Sequence, residues 1–502
     1  MRDFFESGSI RFMPFGQKLP PLATRALTVL AFALPIGLIA HAVTFWGHGI
    51  IDSEAMEFVL NYLQKRPFFA QIFDPQINDW GAYQARELSY VFDFIDARLF
   101  ATLLDRHVLV FVPLSGVLGL IAVSAIYFWG TRRVFGLDRI TTALLLSLFL
   151  SCIVVQASTP ILYRSSKIIL CIALLAFLFY LFALFKKDQP QVAPMDCATL
   201  FFLGLVMALC DRQGFFYLIS TTFIVLLIWL IGRTRRESVQ RAYLQVVGIN
   251  IAAIVATILY NRVFAPRLIH SLNGYWPDFT YQNLPLSALL DSTLPAKTWR
   301  MFQEQVSFFF GSVPFAILAA VVLVAIIVIA WKYRNAFGRI DFTLVAVSLF
   351  SIFTVIGLLA VMIARHPQLY SIRDHAFWYY TLTVHSVFLF GISAWISLLN
   401  PERRARLSPV LYGLITILVV LNLHAYGQQR QTITTGNGWF AGQFEHSQAL
   451  VSQFNAAPPD RDKLLAQTED LFLDDQEHFL ENVERSYLHL TGAVGTRSPD
   501  QR

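Results

Sequence analysis

The chain has 502 residues, of which 56% are hydrophobic and only 14% charged, with a mean hydropathy of +0.55. Soluble domains carry roughly a quarter charged residues, so this composition excludes an ordinary water-soluble protein and points to repeated membrane spans. The net charge of +6 sits in Lys and Arg clusters between apolar runs, a placement that reports orientation and excludes a nucleic-acid-binding reading.

Residues 1–24 are polar and aromatic and are expected to form a cytoplasmic N-terminus without a cleavable signal. Apolar runs follow at 25–46, 107–129, 140–157, 168–185, 196–210, 215–231, 243–263, 307–331, 341–363, 377–399 and 409–425. Hydrocarbon offers no partners to backbone amides, so these runs are expected to be helices. The predicted class is an all-α polytopic membrane protein with about eleven spans, its transmembrane domain covering 25–425. Residues 196–231 hold one polar interruption, Asp211-Arg212-Gln213-Gly214. As a single helix they would run about 54 Å, far beyond a hydrocarbon core of about 30 Å. Two helices meeting in a turn are therefore expected, with Gly214 supplying the turn.

Charge placement agrees with that choice. With a cytoplasmic N-terminus, Arg132, Arg133 and Arg139, Lys186 and Lys187, the Arg233–Arg241 group, Lys332, Arg334 and Arg339, and Arg403, Arg404 and Arg406 all fall inside. The outer face, periplasmic in a bacterial inner membrane, then receives the loops 47–106, 264–306 and 364–376 and a tail, 426–502, that is helical in part. Cys152, Cys171, Cys197 and Cys210 all lie in or beside apolar runs, which argues against a disulfide framework or a thiolate metal site.

The 47–106 loop carries Asp52, Glu54, Glu57, Asp74, Asp79, Glu87, Asp93, Asp96 and Asp105. Two helices are expected in it. Asp52 to Arg66 begins with an N-cap residue and ends before Pro67, and capping alone explains those positions. Tyr83 to Leu104 has Leu88, Val91, Phe92, Ile95, Leu99 and Leu103 on one face and Glu87, Tyr90, Asp93 and Asp96 opposite. Such a helix is expected to lie in the interface, apolar face towards lipid. The alternative use of Asp52 and Glu54 is chemical: two carboxylates just outside the first span can act as a general base or hold a divalent cation.

This arrangement of an acidic motif after the first span, a long first external loop with interfacial helices, and an external turn at Asp211 resembles the GT-C superfamily of membrane glycosyltransferases. The superfamily includes protein O-mannosyltransferases and lipid A aminoarabinose transferases. The resemblance covers topology to about residue 425 and only a handful of residues in motif. It implies a transferase that moves a sugar from a polyprenyl-phosphate donor to a glycan, lipid or protein acceptor hydroxyl. It also implies that the acidic positions of the first loop, here Asp52 and Glu54, are catalytic, with Mg or Mn as an optional cofactor. The second external loop, Ser158 to Lys167, lacks the acidic residue the superfamily often has there, and Asp211 can substitute.

For the donor phosphate the candidates are Arg365, His366 and Arg373, followed by Arg86 and Arg164, because a guanidinium suits phosphate oxygens. Snorkelling beside an aromatic belt at Trp378, Tyr379 and Tyr380 is the competing account. His366 and His375 flank Asp374 at a spacing that does not suit zinc. Tyr275-Trp276-Pro277-Asp278 offers an aromatic platform to a sugar. An O-antigen ligase or polymerase, a multi-pass transporter and a non-enzymatic envelope assembly factor are the alternatives. Against transport, the sequence shows few charges inside its spans and no paired Gly/Pro-broken helices.

Overall fold

The computed structural model describes residues 21–44, 67–74, 86–104, 114–159, 165–185, 192–231, 237–278, 286–311, 313–318, 342–365, 378–398 and 401–435. Most of those residues are helical, with no strand among them. In chain order the helices are α1 (Pro21–Thr44), α2 (Phe68–Ile72), α3 (Glu87–Leu104), α4 (Leu114–Gly130), α5 (Arg139–Leu150), α6 (Ile153–Ser158), α7 (Ser165–Phe185) and α8 (Pro194–Cys210). They continue as α9 (Arg212–Ile231), α10 (Glu237–Leu259), α11 (Ala265–Asn273), α12 (Leu286–Leu289), α13 (Leu294–Phe309), α14 (Phe342–Arg365), α15 (Leu382–Leu398) and α16 (Pro401–Thr435). The expected helix from Asp52 to Arg66 and the expected tail helix lie outside the described residues.

Among the described residues, five helices are long and apolar enough to cross a membrane: Leu114–Phe135, Ser166–Phe185, Arg212–Leu230, Arg241–Asn273 and Leu407–Gln428. Shorter apolar helices run beside them. Their outward surface is apolar too: Leu118, Phe202, Phe223, Ile251 and Val255 are all exposed. Buried positions, by contrast, include Gln156, Asn250, Gln305, His385 and Asn422. An apolar exterior around a partly polar interior suits hydrocarbon, where polar groups must find protein partners.

At the centre, α7 packs against α4, α8 and α15, while α9 packs against α8, α10 and α14. The α4–α7 contact is close because Gly130 faces the ring of Phe179; a Cβ there would sit 2.4 Å from it. Near that end of the bundle Phe135, Phe179, Phe182 and Phe390 form an edge-to-face and tilted aromatic cluster.

The run expected to be one span over 140–157 is two helices, α5 and α6, broken at Ser151 and Cys152. A side chain of α6 meets a carbonyl that the break frees, and side chains from other helices hold the two residues at the break. Gln156 donates to the Leu150 carbonyl at 2.5 Å and the Leu38 carbonyl at 3.0 Å. Asn422 of α16 donates to Ser151 Oγ at 3.0 Å, and His385 Nδ1 of α15 lies 3.0 Å from Cys152 Sγ. The other imidazole nitrogen lies 3.0 Å from Gln305 Oε1 of α13. Irregular backbone persists in an apolar bundle only when its polar groups are met in this way.

Candidate functional site at the helix ends

Residues 196–231 do form two helices. α8 ends at Cys210, Asp211 takes an extended conformation, and α9 begins at Arg212 and packs back along α8. The reason for glycine at 214 is not turn flexibility. Gly214 lies in the first turn of α9, and a Cβ on it would fall 1.8 Å from the carbonyl oxygen of Met207 on α8. Glycine lets the two backbones touch, and this sets where Asp211 sits.

Asp211 is 2% exposed. Lys167, in the first turn of α7 and 3% exposed, places its Nζ 2.6 Å from Asp211 Oδ2. Arg86, immediately before α3, brings its Nε within 3.8 Å of the same oxygen. The other oxygen, Oδ1, accepts a hydrogen bond from the Gln213 amide at 2.9 Å. Burial alone would raise the Asp211 carboxyl, but the Lys167 and Arg86 charges and these hydrogen bonds outweigh it and hold the group below the usual carboxylate range. Arg365, the last residue of α14, lies within electrostatic range of Arg86, Asp211 and Tyr380. Lys167 Nζ also sits 4.8 Å from the centre of the Tyr380 ring.

A hydrogen-bonded chain fixes the floor of this cluster. Gln213 Nε2 donates to the Tyr380 carbonyl at 2.8 Å, Thr383 Oγ1 donates to Gln213 Oε1 at 2.9 Å, and Tyr217 OH donates to Thr383 Oγ1 at 2.9 Å. The ends of α7, α8, α9, α14 and α15 and the start of α3 thus converge on one polar centre. Lys167 and Arg86 pair with the Asp211 carboxylate, and Arg365 lies within electrostatic range of it. Two guanidinium groups within range of one another repel, and an anion between them relieves that repulsion.

Three of the residues singled out in the sequence, Asp211, Arg86 and Arg365, therefore come together, while Asp52, Glu54, Arg164, His366 and Arg373 lie outside the described residues. Lys167, Gln213 and Tyr380 were missed. The available signal was a lysine one residue before an apolar run, matched by an aspartate at the end of another, since ionisable groups at such positions pair.

The acidic residues of the first loop that are described serve the scaffold. On α3 the polar face turns inward: Glu87, Ser89, Tyr90, Asp93 and Asp96 are buried against α4, α7 and α8, while Ile95 is exposed. Asp96 accepts from the Ser115 amide at 2.9 Å and from its hydroxyl, capping the N-terminus of α4 across the chain. Ser89 donates to Asp93 at 3.0 Å. Asp74 accepts from the Tyr275 hydroxyl, and Asn273 Nδ2 donates to the carbonyls of Ala70 at 3.1 Å and Phe73 at 2.8 Å, tying α2 to α11. Tyr275 is thereby committed, whereas Trp276 is 63% exposed and stacks on His270 at 4.4 Å.

Among the described residues no group of three His, Cys, Asp or Glu side chains is placed to hold a metal ion. The Asp211 carboxylate does not fit a divalent cation, because Lys167 and Arg86 already occupy that side. Comparison with protein-family models, with curated proteins and with solved structures finds no significant match to the chain.

Proposed function

We propose that the chain is a GT-C-like membrane glycosyltransferase with about eleven spans, moving a sugar from a polyprenyl-phosphate donor to an acceptor hydroxyl at the outer face. The observation that carries this reading is the pairing of Lys167 and Arg86 with the buried Asp211, with Arg365 in electrostatic range, at one end of an apolar bundle. A phosphate monoester or diester on a lipid is the anion such a place would meet, since its chain lies in hydrocarbon and its head at the helix ends. Nucleotide sugars are absent from that side of a cell membrane, which makes a lipid-linked donor the fitting substrate.

In the transfer, the acceptor oxygen attacks the anomeric carbon and the bond from that carbon to the phosphate oxygen breaks. The electron pair leaves with the lipid phosphate, and the acceptor proton passes to a carboxylate. Asp52 is the base in this scheme, with Glu54 assisting. Asp211 is better suited to holding the cations: a carboxylate kept below its usual range by two positive neighbours is a weak proton acceptor. Arg86, Lys167 and Arg365 would offset the charge that grows on the leaving phosphate.

The test is transfer from extracted lipid-linked sugars by purified protein in vesicles. Removing one group that stabilises developing charge costs about 10²–10³ in rate, so Arg365→Gln should lose transfer on that scale while remaining folded. Asp52→Asn should be equally impaired. Normal transfer by both variants would end the proposal.

A transport reading draws on the α5–α6 break, because discontinuous helices line the substrate sites of many transporters. Here, however, Ser151, Cys152, Gln156, His385 and Asn422 are fully buried and hydrogen-bonded to protein, which favours a structural break.

A further inference from the structure

A groove of about 810 Å³ opens on the outside of the bundle where α1, α4 and α5 meet. Its floor is low because small side chains, Ala125 and Ala143, line it between Phe32, Ile36 and Phe128. Its walls are apolar and outward-facing, with Ile36 68% and Trp129 60% exposed. One end is different. Arg132, Arg133 and Arg139 line the groove there, and all three are exposed.

Arg132 is held in place by the turn that carries it. After Gly130 the helix widens into a π-turn, Thr131–Phe135, and Arg132 Nη1 donates to the Leu137 carbonyl at 2.6 Å. Asp138 is the adjacent acid, and its carboxylate is engaged in capping α5: it accepts from the Thr141 amide at 2.9 Å and from the Tyr412 hydroxyl at 3.0 Å. Arg404 Nη1 reaches the Phe135 carbonyl at 3.4 Å, adding a fourth arginine to the same end.

We propose that this groove binds an anionic glycerophospholipid, its phosphate on Arg132, Arg133 and Arg139 and an acyl chain along Phe128, Ala125 and Ile36. Two features of the site select that ligand. From Arg133 in the π-turn back along α4 to Ser124, the lining spans about 13 Å at the rise of an α-helix, close to the roughly 15 Å depth of one leaflet. Basic pockets between helices at a membrane surface take acidic headgroups, and guanidinium forks match phosphate oxygens. The arginines stand at the end of the bundle opposite Asp211 and in segments that the charge pattern assigns to the cytoplasm. The site is therefore separate from the donor-phosphate cluster and needs only a membrane-embedded bundle, not a transferase.

Delipidated protein in neutral detergent should be titrated with phosphatidylglycerol, cardiolipin, phosphatidylcholine, polyprenyl phosphate and inorganic phosphate, reading bound species by native mass spectrometry. Phosphatidylglycerol and cardiolipin should bind at least about tenfold better than phosphatidylcholine, since each arginine near an acidic lipid contributes roughly fivefold. Arg133→Gln with Arg139→Gln should abolish that preference. Ala125→Trp, which fills the groove from an exposed position and leaves every arginine in place, should abolish binding of the acidic lipids. Equal binding of phosphatidylcholine, full competition by inorganic phosphate, displacement of bound phosphatidylglycerol by equimolar polyprenyl phosphate, or unchanged binding of the acidic lipids in either variant would each overturn the proposal.

Discussion

Lys167 and Asp211, 44 positions apart in the chain, form an ion pair at 2.6 Å in which both groups are almost fully removed from solvent. The pair joins the start of α7 to the junction of α8 and α9, so it is both a structural fastening and the base of the cationic cluster. Breaking one side of a buried pair leaves a charge without compensation, at about 3–5 kcal/mol. Lys167→Met should therefore lower the thermal unfolding midpoint sharply in detergent. The double change Lys167→Met with Asp211→Leu should recover most of that loss, without restoring any transfer activity. Because the folded-state carboxyl lies below its usual range, the stability it contributes is present above the unfolded value and is lost as pH falls through the lower folded one. Wild-type protein should keep this contribution at pH 5 and lose it only in strong acid.

Asp96 behaves in the opposite sense. Burial pushes its carboxyl up to about 6, against the hydrogen bonds from Ser115. A raised carboxyl costs stability once it must ionise, on the order of 3 kcal/mol at neutral pH for a shift of this size. From this group alone, stability should fall as pH rises from about 4 to 7. Asp96→Asn should flatten that part of the profile, measured as unfolding midpoints across the same range; an identical slope in the variant would refute the assignment.

Gly214 tests how finely the site is placed. A methyl group at 214 meets the backbone of Met207, which cannot swing aside as a side chain can. Overpacking of this kind costs about 1–3 kcal/mol. Gly214→Ala should reduce stability and, by moving Asp211, weaken polyprenyl-phosphate binding, whereas substitution at the unobstructed Gly248 should do neither.

The contact of α2 with α11 makes a local prediction. Tyr275→Phe removes a hydrogen bond to the Asp74 carboxylate, which is worth about 1.5–3 kcal/mol. Amide hydrogen exchange should rise in α2 and in residues 273–275 while the α7–α9 region stays protected. A uniform increase over the whole chain would show instead that this contact belongs to the global unfolding unit.

Much of the helical architecture was legible because hydrocarbon imposes it. Apolar runs must be helices, and the separation of α8 from α9 followed from the length limit on one span. The inward turn of the acidic face of α3 was not readable: an interfacial helix is expected to turn its polar side to water, and packing against α4, α7 and α8 buries Glu87, Asp93 and Asp96 instead. Nor was the break at Ser151 and Cys152. No Gly or Pro marks it, and its stability comes from Gln156, Asn422 and His385, of which the last two lie more than 200 positions away.

The candidate site divides in the same way. Composition and charge placement were enough to say that Asp211 lies at a helix end, because membrane burial penalises every unpaired charge and so marks it. Which cations surround it was a matter of three-dimensional packing. Lys167 and Arg86 are brought to Asp211 by the stacking of α3, α7 and α8, and a linear pattern carries no signal for contacts between side chains so distant along the chain.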